Sequence, residues 1–170
     1  MTFFYIIVGF VVLQRLLEVA YARSNERFMK KQGAIEAGAA HYKWIVLLHV
    51  LFFVSLTVEV FYTGGNLGEA WPIFLLIFIL AQILRVWALA SLGRFWNTKI
   101  LVLPGAKKVK SGPYRWLPHP NYIVVALEIA SLPLVFGAWR TAVVFTVANA
   151  LLLLLVRIPA EEKALQELKE

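Results

Sequence analysis

The 170-residue chain is 61% hydrophobic, 14% aromatic and only 16% charged, with a mean hydropathy of +0.73. Soluble domains run about 45–50% apolar and about 25% charged, so this composition excludes a soluble enzyme, a disordered chain and a fibrous repeat. A net charge of +7 in such a chain reads as cytoplasmic loops and contact with anionic headgroups, not as a nucleic-acid footprint. There is no cysteine and no aspartate, and His41, His49 and His119 are far apart in sequence. No disulfide framework, thiol nucleophile or metal cluster is therefore expected.

A membrane-crossing helix needs about 20 mostly apolar residues. Taken in chain order, five segments approach that requirement: Phe3–Ala20, Trp44–Tyr62, Trp71–Ala90, Tyr122–Phe136 and Trp139–Val156. The first lacks a basic leader and a small-residue cleavage site, and reads as a retained helix. The fourth is short and carries Pro133, which predicts a kinked or partial crossing. Trp44, Tyr62, Trp71 and Trp139 sit at the ends of spans, as an interfacial aromatic belt requires. The sequence thus predicts an all-α polytopic membrane bundle of about five helices, forming one integral domain over residues 1–170.

Orientation follows from the basic residues. Fourteen of the seventeen Lys and Arg fall in connection 22–43, connection 91–121 and the tail after Val156. The positive-inside rule puts these cytoplasmic, with the N-terminus outside. Connection 91–121 is 31 residues long and rich in Gly and Pro, so it is irregular backbone of the kind that carries function. In the tail, Ile158, Leu165 and Leu168 share one helical face, predicting an amphipathic helix against the membrane or the loop.

Ionisable groups within spans are costly and are site hypotheses by default. Arg15 and Glu18 are spaced to pair along one helix face. Glu59 lies near an outer span end and reads as solvated. Arg85 is close enough to the cytoplasmic end to snorkel. Glu128, in mid-span, needs a neutralising partner, which Arg85 or a tail residue can supply. His49 reads as a hydrogen-bonded packing residue.

The densest chemistry is the run Ser111-Gly-Pro-Tyr-Arg-Trp-Leu-Pro-His-Pro-Asn-Tyr122, followed much later by Arg157-Ile-Pro-Ala-Glu-Glu162. His119 is placed to cap the fourth helix, with Pro120 at its first position. Free N–H groups there favour a carboxylate or other anion. Tyr114, Trp116 and Tyr122 are aromatic walls suited to a heteroaromatic ring or a cation. A bland reading remains beside this one: a capping turn plus an acidic first turn of the tail helix.

Residues 92–168 resemble the isoprenylcysteine carboxyl methyltransferase family and, more distantly, the phospholipid N-methyltransferases. The matching residues are Leu92-Gly93 with Trp96, Gly112-Pro113-Tyr114-Arg115, His119-Pro120-Asn121-Tyr122, and Arg157 with Glu161-Glu162 before Leu165. The family's arginine before His-Pro is Pro118 here. The resemblance implies S-adenosylmethionine-dependent methylation at the cytoplasmic membrane surface, with residues 1–90 as N-terminal spans and 91–170 as the methyltransferase core. It implies a cofactor pocket shaped by Gly112, Pro113, Tyr114, His119, Pro120, Tyr122, Glu161 and Glu162. Arg157, Glu162 and His119 would stand near the reacting groups.

The chemistry is consistent with such a cofactor. A carboxylate pairs its ammonium, aromatic faces tolerate its sulfonium, and Arg157 can hold a carboxylate through paired hydrogen bonds. No G-x-G-x-x-G follows a strand, so a loop closed by the tail helix would replace a Rossmann site. The expected acceptor is lipophilic, either a prenylated chain or a small lipid-like acid, phenol or enol, entering from between spans. Two alternatives stand beside this reading: an NADPH-dependent membrane steroid or sterol reductase, and a non-catalytic membrane scaffold.

Overall fold

The computed structural model describes residues 1–167. Leu168, named above, lies outside the described residues. The architecture is an all-α bundle whose long helices are apolar enough to cross a membrane. Helix α1, Thr2–Lys31, is followed by a short strand β1, Ile35–Ala37, and by α2, Ala39–Tyr62. Helix α3, Trp71–Leu92, leads through a 3-10 turn at Gly93–Phe95 to strand β2, Ile100–Val102. A second 3-10 turn, Gly112–Arg115, precedes α4, Pro120–Val135. The last span is α5, Trp139–Leu152, which passes through a π turn at Leu153–Arg157 directly into α6, Ile158–Glu167.

Helix α1 runs past the predicted end at Ala20. Its 30 residues span about 45 Å, well beyond a hydrocarbon core of about 30 Å. Arg23, Arg27, Lys30 and Lys31 therefore stand on a helical extension and not in a loop. The extension is tied down. Asn25, fully buried, donates to the carbonyls of Trp96 at 2.8 Å and Gly93 at 3.2 Å, and Trp96 stacks on Tyr21.

A two-stranded antiparallel ribbon, unanticipated from the sequence, joins connections 22–43 and 91–121 in the register Ile35↔Val102. Lys30 and Lys99 each bridge Glu26 and Glu36 beside it. Ile100 and Val102 bury against Ala164 of α6. The expected amphipathic tail is thus a continuation of the last span, and its apolar face covers the ribbon; no membrane surface is needed to satisfy it.

Helix α4 is the inner helix. At 16 residues it is only about 24 Å long, yet it runs from the ribbon end of the bundle to the opposite end, where Phe136 packs on Phe3 and Phe4. Pro133 falls in its last turn, two residues before the helix ends at Val135. Against α4 lies the face of α3 that carries Phe78, Ala81, Arg85 and Ala88, with both alanines fully buried. Small residues here let the backbones approach, the usual device where lipid removes a hydrophobic drive for association. The main core, including Phe4, Phe52, Leu56, Phe78 and Leu132, fills the end away from the ribbon.

Glu59 is half-buried and does more than meet solvent. Its carboxylate accepts from the backbone N–H groups of Arg140 at 3.1 Å and Thr141 at 2.7 Å, capping α5 from the neighbouring α2. Arg85 does not snorkel. It is buried, and with Arg15 it engages Glu18 and Glu128 in one network that also takes Gln14 and Gln82. The Arg15–Glu18 pair and an Arg85 partner for Glu128 agree with the sequence reading. His49 bonds the Ile45 carbonyl at 2.7 Å, the packing role expected for it.

Candidate active site

The loop before α4 is built on glycine and proline. Gly112 has φ +55°, and a Cβ there would run into the Ser91 side chain at the end of α3. Pro113 is buried beneath the loop. Close seating of this turn on α3 fixes Tyr114, whose hydroxyl accepts from Asn121 Nδ2 at 3.0 Å. Burial and the nearby Glu161 charge raise the Tyr114 hydroxyl pKa well above its ordinary value. It is a neutral hydroxyl across the working pH range.

His119 occupies the N-cap position of α4, with Pro120 first in the helix, but its ring does not cap. The ring stacks on Tyr122, with centroids 5.3 Å apart and planes inclined by 19°. Its Nδ1 lies 3.7 Å from Glu161 and its Nε2 3.5 Å from Glu162. The Tyr122 hydroxyl donates to the Glu161 carboxylate and accepts from Arg157 Nε at 3.1 Å. Start of α4 and start of α6, 35–43 residues apart in sequence, thus form one cluster.

Arg157 is the electrostatic centre. Its side chain is buried, donating to the Thr98 carbonyl at 2.8 Å, with Nη1 3.5 Å from His41 Nε2. Among the described residues no carboxylate lies within ion-pair distance of it. A buried guanidinium held only by neutral acceptors is prepared for an anion from outside the chain. The π turn contributes to this placement. A four-residue step overshoots an α-helical turn by about 40°, and the wider π turn takes up the overshoot between Leu153 and Arg157. Asn149, Leu153, Arg157 and Glu161 consequently all line the same cavity.

That cavity measures about 490 Å³, within the range of small-ligand sites. Tyr114, His119, Pro120, Tyr122, Arg157 and Glu161 form its ribbon-side mouth. Gly112, Pro113 and Glu162 do not line it: the first two back the loop, and Glu162 sits exposed at the rim. Arg115, the nearest arginine to Pro118, is exposed against Trp116 and outside the cavity. Farther in, the walls are apolar side chains of α1 and α2. Leu16 and Val50 line it while remaining 63% and 54% exposed, so the cavity opens sideways between those helices.

Sequence reasoning did not find Tyr42, Asn97, Thr98 or Asn149, all of which line the cavity. None belongs to a local motif. The one available signal was polarity, as Asn149 interrupts an apolar run and Asn97-Thr98 stands in the irregular connection.

A multi-pass helical membrane protein with an aromatic, charged pocket over a lateral apolar cavity defines the class. The model of the isoprenylcysteine carboxyl methyltransferase (ICMT) family matches residues 73–167, more than half of the chain. The chain belongs to that family of membrane methyltransferases. It is 49% identical over 164 residues to the uncharacterized protein YpbQ of Bacillus subtilis (strain 168), covering 96% of this chain and 97% of that one. It is 27% identical over 169 residues to an uncharacterized protein of Haemophilus influenzae (strain ATCC 51907 / DSM 11121 / KW20 / Rd), covering 99% and 98%. No solved structure matches significantly.

Proposed function

We propose that the chain is an S-adenosylmethionine-dependent methyltransferase that methylates an oxygen of a lipophilic acceptor at the membrane. The observation that carries this reading is Arg157, buried without an acidic partner and separated from Glu161 by a tyrosine hydroxyl that touches both. A ligand bearing a carboxylate, an ammonium and a sulfonium matches that arrangement of one cation, one anion and stacked aromatic rings. The residues present therefore fit the cofactor.

Arg157 would hold the carboxylate, and Glu161 would hold the ammonium in exchange for its Tyr122 hydrogen bond. Tyr114, Tyr122 and the His119 ring would wall the sulfonium and the adenosyl group, with Pro120 below. Gly112 and Pro113 would act by fixing the loop. When bound, S-adenosylmethionine supplies an electrophilic methyl group. A carboxylate or enolate acceptor is already nucleophilic, and the chain's task is then alignment and exclusion of water. For a hydroxyl acceptor, His119 with Glu162 at the rim would take the proton.

The acceptor, prenylated or otherwise lipid-like, would enter sideways past Leu16 and Val50, while the cofactor arrives at the ribbon end. That end is cytoplasmic and the N-terminus external in this proposal, on the strength of the basic residues. Residues 91–170 are its catalytic core, with Tyr42 and the α1–α2 walls supplied by residues 1–90.

The test is binding of labelled S-adenosylmethionine to detergent-purified protein, followed by a screen of extracted lipids for methyl acceptance. Wild-type protein is expected to bind, and Arg157→Leu and Glu161→Gln to lose binding while remaining helical by circular dichroism. Folded wild-type protein that does not bind removes the reading.

A further inference from the structure

The deep end of the cavity carries two polar groups that the reading above does not use. Asn149 on α5 is 2% exposed, lines the cavity, and its Nδ2 has no hydrogen-bond partner. His49 on α2 also lines the cavity. Its Nδ1 donates to the Ile45 carbonyl, which leaves Nε2 as an acceptor lone pair.

These residues stand at one level. Helices α2 and α5 run antiparallel in contact: Ser55 Oγ meets Thr141 Oγ1 at 2.9 Å, and Phe52 packs on Phe145 with centroids 5.6 Å apart. One further turn along each helix reaches His49 and Asn149. Between them they present an amide and an imidazole acceptor to one end of the chamber. The other polar groups at this depth, Arg15, Glu18 and Arg85, are satisfied by one another and by Glu128. An amide without a partner inside a membrane bundle is costly, and Leu or Ala would serve packing better.

We infer that His49 and Asn149 form a second recognition point, which takes a hydroxyl or carbonyl carried on the acceptor's hydrocarbon portion. This rests on the methyltransferase reading for its starting point: the reacting oxygen lies at the ribbon-side mouth beside the aromatic walls, on the level of Arg157. Asn149 is eight residues before Arg157, about 12 Å farther into the bundle. The acceptor class is then a bifunctional lipid, polar at the methylated end and again roughly mid-chain. A plain hydrocarbon tail would leave the amide and the imidazole unsatisfied. A mid-chain hydroxyl donates to His49 Nε2 and exchanges a hydrogen bond with Asn149.

The experiment uses two probes, 10-hydroxyoctadecanoic acid and octadecanoic acid, and measures their binding to the full-length protein in detergent by equilibrium dialysis. Wild-type protein is expected to favour the hydroxy acid about tenfold. Asn149→Leu and His49→Phe are each expected to abolish that preference while keeping affinity for octadecanoic acid. Asn149→Leu is also expected to raise the Tm of the ligand-free protein, since it removes an unpaired amide. Asn149→Ala provides the same comparison with a smaller side chain. Equal or absent binding of the two acids by wild-type protein, or a preference that survives in the variants, overturns the inference. A preference that is lost in the variants, in folded protein that does not bind labelled S-adenosylmethionine, sustains the recognition point and removes the methyltransferase reading alone.

Discussion

Glu128 of α4 and Arg85 of α3 meet inside the bundle, with Arg85 Nε 2.9 Å from Glu128 Oε1 and both side chains nearly inaccessible. Arg15 reaches the same carboxylate at 2.8 Å from the peripheral α1. Two arginines and two glutamates, drawn from three helices, neutralise one another where isolated charge is prohibitive. This network pins α1 to the α3–α4 pair along a stretch where the cavity, and not protein, fills the space towards α2.

Replacing Glu128 alone leaves Arg85 without its main acceptor. Glu128→Leu is expected to lower stability by about 3–5 kcal/mol, as for other broken buried pairs. Glu128→Leu combined with Arg85→Met keeps the Arg15–Glu18 pair and is expected to recover more than half of that loss. Thermal unfolding in detergent measures both, and a double variant no better than the single one would refute the pairing argument.

Glu59 satisfies the first turn of α5 from a different helix. Glu59→Ala is expected to cost about 1 kcal/mol, the usual worth of an N-cap. Binding of S-adenosylmethionine should be unaffected, because the capped turn lies at the end of the bundle away from Arg157. A binding defect at constant fold would show that the two ends are coupled.

Gly112 admits no side chain. Gly112→Ala places a methyl group against Ser91 in a left-handed backbone conformation. Labelled S-adenosylmethionine binding should fall at least tenfold with the helical content unchanged. Adding Ser91→Ala should restore only part of it, since the backbone strain remains.

The ribbon carries a pH signature. Glu36 is held below its ordinary pKa chiefly by its hydrogen bond from Lys30, with Lys99 adding to it. A depressed carboxylate stabilises the fold above its unfolded value near 4.3, and this contribution disappears as pH falls through the lower folded value. Amide protection at Ile100–Val102, taken relative to the intrinsic exchange rate at each pH, should therefore fall on acidification below about pH 4. Glu36→Gln should reduce the dependence, and Glu26→Gln added to it should abolish it, since Glu26 is lowered by the same two lysines.

Because the chain has no cysteine, single introduced cysteines report its topology. Asn66→Cys is expected to react with a membrane-impermeant maleimide in intact cells, and Lys107→Cys only after permeabilisation. The reverse pattern would invert the proposed orientation.

Spans were legible because hydrocarbon thickness dictates their length and leaves a run of apolar letters. Even the short fourth helix and its Pro133 were readable. Three-residue strands leave no such trace: Ile35–Ala37 and Ile100–Val102 are too short for alternation to register, and only their pairing gives them meaning. Arg85 was misjudged, and the partners of Glu59 missed, for a related reason, since position along a helix says how deep a charge lies but not which neighbour it meets. At the site, the Tyr114–Tyr122 run and the Arg157–Glu162 run were visible as unusual local clusters. Tyr42, Thr98 and Asn149 were not, because each reaches the cavity through tertiary packing and carries no pattern of its own.

The π turn at Leu153–Arg157 makes the final span two rods of different phase. Deleting one residue within it would let the helix run straight, with three α-helical steps in place of a full turn, and rotate everything downstream by about 60°. Glu161 would leave Tyr122 and the Ile100–Val102 cover would lose Ala164, with no change in hydrophobic length. A single supernumerary residue thus acts as a clock hand for the whole C-terminal segment, and relatives that differ in length should add or drop residues anywhere but there.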